Sequence, residues 1–106
     1  MIVTVNITKD HVRYGKRGDP CECAVAMAIE QATGCPCTVS PRRCALYMPS
    51  GMPYVPAKEV KFLLPEEIID WIRNFDIGNT VYPTTFSLEL PDEYSHPESE
   101  ERAGTA

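Results

Sequence analysis

Five cysteines carry most of the chemistry open to this chain of 106 residues. They fall as Cys21-Glu-Cys23, Cys35-Pro-Cys37 and Cys44. Four thiolates, from Cys21, Cys23, Cys35 and Cys37, match the number and softness of ligand that a tetrahedral zinc takes. The spacing opposes that reading, because structural zinc pairs usually have two to four intervening residues and each pair here has one. On a helix that starts at Pro20, Cys21 and Cys23 point about 200° apart and cannot share an ion. The expectation is therefore no cofactor, with a cysteine-ligated zinc or thiol protein as the second alternative function. Cys21 and Cys44 are expected to be small buried hydrophobes, with the other thiols packed locally.

A second chemistry lies just ahead. Arg13, Lys16, Arg17 and Gly18 precede a helix N-terminus, where free N–H groups and a positive dipole end favour anions. A phosphate or nucleotide could bind there, with Arg42 and Arg43 as helpers. Asp19 competes, since its carboxylate suits the cap position, and the Gly-x₄-Gly-Lys-Ser/Thr phosphate loop is absent. A solvated basic loop is the simpler expectation, and small-anion or nucleotide binding is the alternative function.

The third candidate is apolar. Tyr47, Met48, Met52, Tyr54 and Val55 surround the proline-rich segment Pro49 to Pro56. Flexible thioethers and aromatic rings on a loop make an adaptable binding surface. Catalysis is not expected. There are two histidines, His11 on a short helix and expected to be exposed, and His96 near the C-terminus. A thiolate at Cys21 or Cys23 with His11 as its base lacks a third orienting group, and no hydrolase, zinc-protease or phosphate-loop signature occurs.

These groups need elements to hold them. Ile2 to Ile7 alternates and predicts a strand that buries Val3, Val5 and Ile7. Thr8 caps a short helix over 9–14 that Gly15 stops. Asp19 as cap and Pro20 as first residue predict a helix over 20–33 that Gly34 ends in a left-handed turn. Its alanines suit close packing against a sheet. Cys37 to Ser40 and Cys44 to Met48 predict two short strands, and Glu59 to Leu63 a further strand or extended lead-in. Leu64, Ile68, Trp71, Ile72 and Phe75 give a helical stripe over 65–76, and Thr84 to Leu90 alternates as a last strand. The order predicts an α+β domain over 1–91, with a small, mainly antiparallel sheet of four or five strands packed by two main helices.

The net charge of −5 is concentrated at the C-terminus. Residues 92–106 hold five acidic residues and one basic one, which is −4, and are expected to be a disordered tail. Residues 1–91 hold ten acidic and nine basic residues, which is −1. That balance excludes a dedicated nucleic-acid binder, for which a domain pI above about 9 is the usual sign. No apolar run approaches the roughly 18 residues of a membrane span, and no signal peptide is expected. A cytoplasmic, reducing setting with free thiols follows.

The chain carries the segments Asp10-His-Val-Arg-Tyr-Gly15, Cys21-x-Cys23-Ala-Val-Ala-Met-Ala-Ile29, Leu64-Pro65 with Trp71-Ile72, Phe75-Asp-Ile-Gly78 and Tyr82-Pro-Thr-Thr-Phe86-Ser-Leu88. They resemble a group of small uncharacterised proteins encoded by tailed bacteriophages. That group shows a His-Ile-x-x-Gly segment, a Cys-Pro-Ile/Val-Ala-x-Ala helix start and a Pro-Phe-x-Phe-like last strand. The resemblance spans most of residues 2–90, with Ala24 standing where the group's pattern has proline. It implies phage origin and action in the host cytoplasm, and it transfers no activity or site. The function expected is that of a non-enzymatic accessory protein that binds a host or phage macromolecule, using Tyr47, Met48, Met52 and Tyr54.

Overall fold

The computed structural model describes residues 2–40, 43–49 and 51–91. The tail expected over 92–106 lies outside them, as does Arg42. The order is β1 (Ile2–Ile7), α1 (Lys9–Tyr14), α2 (Ala24–Thr33), β2 (Cys37–Thr38), β3 (Cys44–Met48), β4 (Lys58–Phe62), α3 (Glu66–Asp76) and β5 (Thr84–Glu89). This is an α+β fold, as the pattern predicts. The strands divide into two antiparallel sheets in place of one: β1 with β5, and β2-β3-β4.

The first and last strands pair along their length, from Ile2 opposite Glu89 to Ile7 opposite Thr84. Both alternate strictly, so Val3, Val5 and Ile7 share the buried face with Phe86 and Leu88. Cys44, Leu46, Val60 and Phe62 supply the inner face of the second sheet, and Ile68, Ile72 and Phe75 the stripe of α3. One core joins all of them. Full burial of an aliphatic or aromatic side chain contributes about 1.5–3 kcal/mol, so these rows dominate stability.

Between the sheets lies α2, packed against β1, α1 and β2. Ala24, Ala26 and Ala28 are almost fully buried on it. Methyl groups let the helix backbone come close to its neighbours. The helix begins later than the pattern predicts. Asp19 Oδ1 accepts from the N–H groups of Cys21 (2.8 Å) and Glu22 (3.1 Å), which closes a turn around Pro20. That turn does not propagate, because Cys23 is extended and is itself the N-cap, its Sγ accepting from Ala26 N–H at 3.4 Å. The expected burial of Cys21 is thereby overturned: Cys21 is exposed, while Cys23 is buried and Cys44 is buried as expected. Pro65 likewise sits at the cap of α3, one residue before the helix.

A further correction concerns α1. His11 is buried, not exposed. It closes a reciprocal capping box, in which Thr8 N–H donates to His11 Nδ1 (3.0 Å) and His11 N–H donates to Thr8 Oγ1 (3.3 Å). Gly15 stops the helix without a left-handed turn, at φ −65. Its requirement is space, since a Cβ there would stand 2.6 Å from Ala24 N and 2.7 Å from His11 O. Gly34 does end α2 left-handed, at φ 73, as predicted.

The two glycines should therefore respond differently to alanine. Gly15→Ala pushes a methyl into backbone on both sides and is expected to cost roughly 2–3 kcal/mol. Gly34→Ala meets open space and strains only its φ, costing about 1 kcal/mol. Urea denaturation of the two variants measures the difference.

Candidate functional site

The basic loop is held inward. Arg17 Nε donates to the carbonyl of Phe75 at 2.9 Å, and its guanidinium stacks 5.3 Å from the Phe75 ring centroid. A cation at the last turn of α3 meets the negative end of that helix. Gly18 N–H donates to Asp76 Oδ1 at 2.9 Å. Lys16 pairs with Glu22 at 2.6 Å, which raises the Lys16 pKa, first through the hydrogen bond and then through the opposite charge. Arg13 lies over its neighbour Tyr14, 5.5 Å from the ring centroid. Beside this loop a cleft of about 240 Å³ is lined by Gly18, Asp19, Cys23, Ser40, Ile72 and Asp76 among others. Two carboxylates line the cleft, and Arg17 Nε, Gly18 N–H and Lys16 Nζ are engaged within the protein. Such an arrangement suits structural tethering better than an incoming anion.

The thiols also serve structure. Cys37 Sγ donates to Ala26 O at 3.2 Å, Cys44 Sγ to Ser40 O at 2.9 Å, and Cys35 Sγ lies 3.7 Å from Thr33 O. Burial pushes the Cys23 and Cys44 thiols up, and Cys37 up to about 12. A thiol held neutral is neither a ready nucleophile nor a ready ligand. Among the described residues no group of three or more Cys, His, Asp or Glu side chains is arranged to hold a metal. Cys21 and Cys23, one exposed and one buried, face apart. No helix of the described residues is long and apolar enough to cross a membrane.

The apolar loop is different. It links Met48 of β3 to Lys58 of β4, and it presents its side chains outward. Tyr54 is 96% exposed, Met52 66% and Val55 49%. Pro49, Gly51, Met52, Pro53, Val55 and Ala57 line an open groove of about 490 Å³. Val55 N–H donates to Met52 O at 3.3 Å and closes a turn under Pro53 and Tyr54, while Gly51 supplies a positive φ of 76. Each proline fixes one backbone dihedral, so the loop loses little further freedom when something binds it. Tyr47 and Met48, predicted to share this surface, are half-buried in β3, and Met48 packs against the core. Met52 and Tyr54 are thus brought together at the tip, whereas Tyr47 and Met48 form its base.

Asp76, which anchors Gly18, and Leu63, 84% exposed at the end of β4, were not singled out by the sequence. Asp76 appears there only as the end of an amphipathic helix, and Leu63 only as the last residue of a strand or extended lead-in.

Two outcomes check the thiol assignments. In the folded protein one thiol, Cys21, should react rapidly with an aromatic disulfide reagent, and the four buried ones only on unfolding. Alkaline stability should also fall. Between pH 9 and about 12 the unfolded chain gives up the Cys37 proton while the folded chain keeps it. That proton's contribution is fully present below pH 9 and is lost as pH rises, by about 1.4 kcal/mol per unit. Urea midpoints measured across this window should drop, and Cys37→Ala should flatten the drop.

Compared with known proteins, the chain matches no family model, no curated protein and no solved structure.

Proposed function

We propose that this is a small accessory protein, phage-encoded and acting in the host cytoplasm, that catalyses no reaction and works by holding a host or phage protein against the loop between β3 and β4. The observation that carries this reading is the loop tip. A tyrosine 96% exposed, with Met52 and Val55 beside it, stands on a proline-stiffened turn over an apolar groove. Monomers bury large side chains where they can, and clustered exposed ones mark interaction sites. Tyrosine is also among the residues enriched where binding energy concentrates. The near-neutral charge of residues 1–91 favours a protein partner over nucleic acid. The phage resemblance supplies the setting.

The test pairs the full chain with a variant carrying Met52→Ser and Tyr54→Ser. Both positions are exposed, so the melting temperature should stay the same. Host-lysate proteins retained by immobilised wild type should be released by the variant, and the isolated partner should bind it at least about tenfold more weakly. Identical retention by the two proteins would sink the reading.

A further inference from the structure

Among the described residues, no strand pairs with the outer side of β4, the last strand of the second sheet. Tyr47 donates its N–H to Pro36 O at 2.9 Å, on the β2 side of β3. Successive residues of a strand direct their backbone groups to alternate sides. Cys44, Leu46 and Met48 therefore face β4 and bond with their register partners Phe62, Val60 and Lys58. Glu59 and Lys61 then direct both N–H and C=O away from β3. Among the described residues no hydrogen bond reaches those groups, and neither side chain has an ion-pair partner.

We infer that this edge pairs with the same edge of a second copy of the chain, antiparallel about a two-fold axis through Val60. That register makes Glu59 and Lys61 meet as hydrogen-bonded pairs, each with the opposite residue of the other copy. Val60 meets Val60 across the axis. The charges are complementary in both pairs, and an isologous contact demands such self-complementarity. One step further along, the exposed Leu63 comes opposite Ala57 of the second copy. The result is a continuous six-stranded sheet, β2-β3-β4 followed by β4-β3-β2, with the two unpaired edges removed.

Among the described residues no other edge offers this. Val39, just past β2, already donates to Pro20 O at 2.8 Å, and α2 packs along β1. In β5 the charge is a single one, Glu89, which finds no opposite charge in self-pairing. Lysine on an edge strand commonly discourages pairing. Here Glu59, two residues away on the same face, converts that deterrent into a matched pair.

Sedimentation velocity of the full chain, from micromolar to millimolar concentration, tests the pairing. Wild type should dimerise as concentration rises. Glu59→Lys or Lys61→Glu alone sets like charges opposite each other at both symmetric positions and should raise the dimer Kd about tenfold. The double exchange, Glu59→Lys with Lys61→Glu, should restore it. Lys61→Pro removes an outward N–H without touching the β3 ladder and should give a monomer with an unchanged circular dichroism melt. A wild type that stays monomeric to millimolar concentration overturns the inference, as does a dimer indifferent to the single charge reversals. The inference is independent of the loop reading, since the Met52 and Tyr54 substitutions leave this edge intact.

Discussion

Everything in this molecule adjusts to the close approach of α2 to its neighbours. The helix buries Ala24, Ala26 and Ala28, which offer almost no side chain to pack. Contact is made by the helix backbone, and backbone cannot rotate away from a clash. The end of α1 reaches the start of α2 at Gly15, where even a methyl group would stand 2.6 Å from Ala24 N. A cap at position 23 must likewise be small. A cysteine fits, accepting from Ala26 N–H while remaining fully inside.

That constraint explains the basic loop. The chain leaves Gly15 and must return to Cys23 at a fixed place, so residues 16–22 span a short gap with many polar groups. Those groups are satisfied by α3: Arg17 by the carbonyl of Phe75, Gly18 by the carboxylate of Asp76. The remaining turn is closed by Asp19 on itself. A stretch with the composition of an anion site thus ties three helices together. Arginine suits this role because its planar group can donate to a carbonyl and stack on a ring at once.

Much of the architecture was legible in the sequence because it rests on periodicity. The alternation of Val3, Val5 and Ile7, the stripe of Ile68, Ile72 and Phe75, and the cap at Thr8 each follow from local pattern. What was not legible depends on distant partners. Nothing local to Asp19-Pro20 shows that the turn stops after one cycle, because either a turn or a helix satisfies that carboxylate. Cys21 loses its expected burial for the same reason, since the helix starts four residues later than predicted and leaves Cys21 in the turn outside it. His11 looks like a surface residue until its ring is seen to complete the capping box with Thr8. The division into two sheets is likewise a matter of which strands meet, which pattern does not specify. At the candidate site, Met52 and Tyr54 were legible as loop residues and Tyr47 and Met48 as strand residues, whereas the half-burial of Tyr47 and Met48 depends on how β3 pairs and packs.

The β3-β4 hairpin gathers what is left over once the core is built. Its connection carries Met52, Tyr54 and Val55 outward, and its outer strand carries the unmatched Glu59 and Lys61. These features are adjacent because the same strand that begins after the loop forms the edge. Pairing two copies about Val60 brings Leu63 of one copy alongside Ala57 of the other, at the foot of the loop. An apolar side chain that has no role in the isolated chain then widens the surface around the groove, and the two loops stand at opposite ends of the shared seam. A partner with two equivalent contact sites at that separation would bind through both loops together, gaining affinity from effective concentration with no additional contact at either loop.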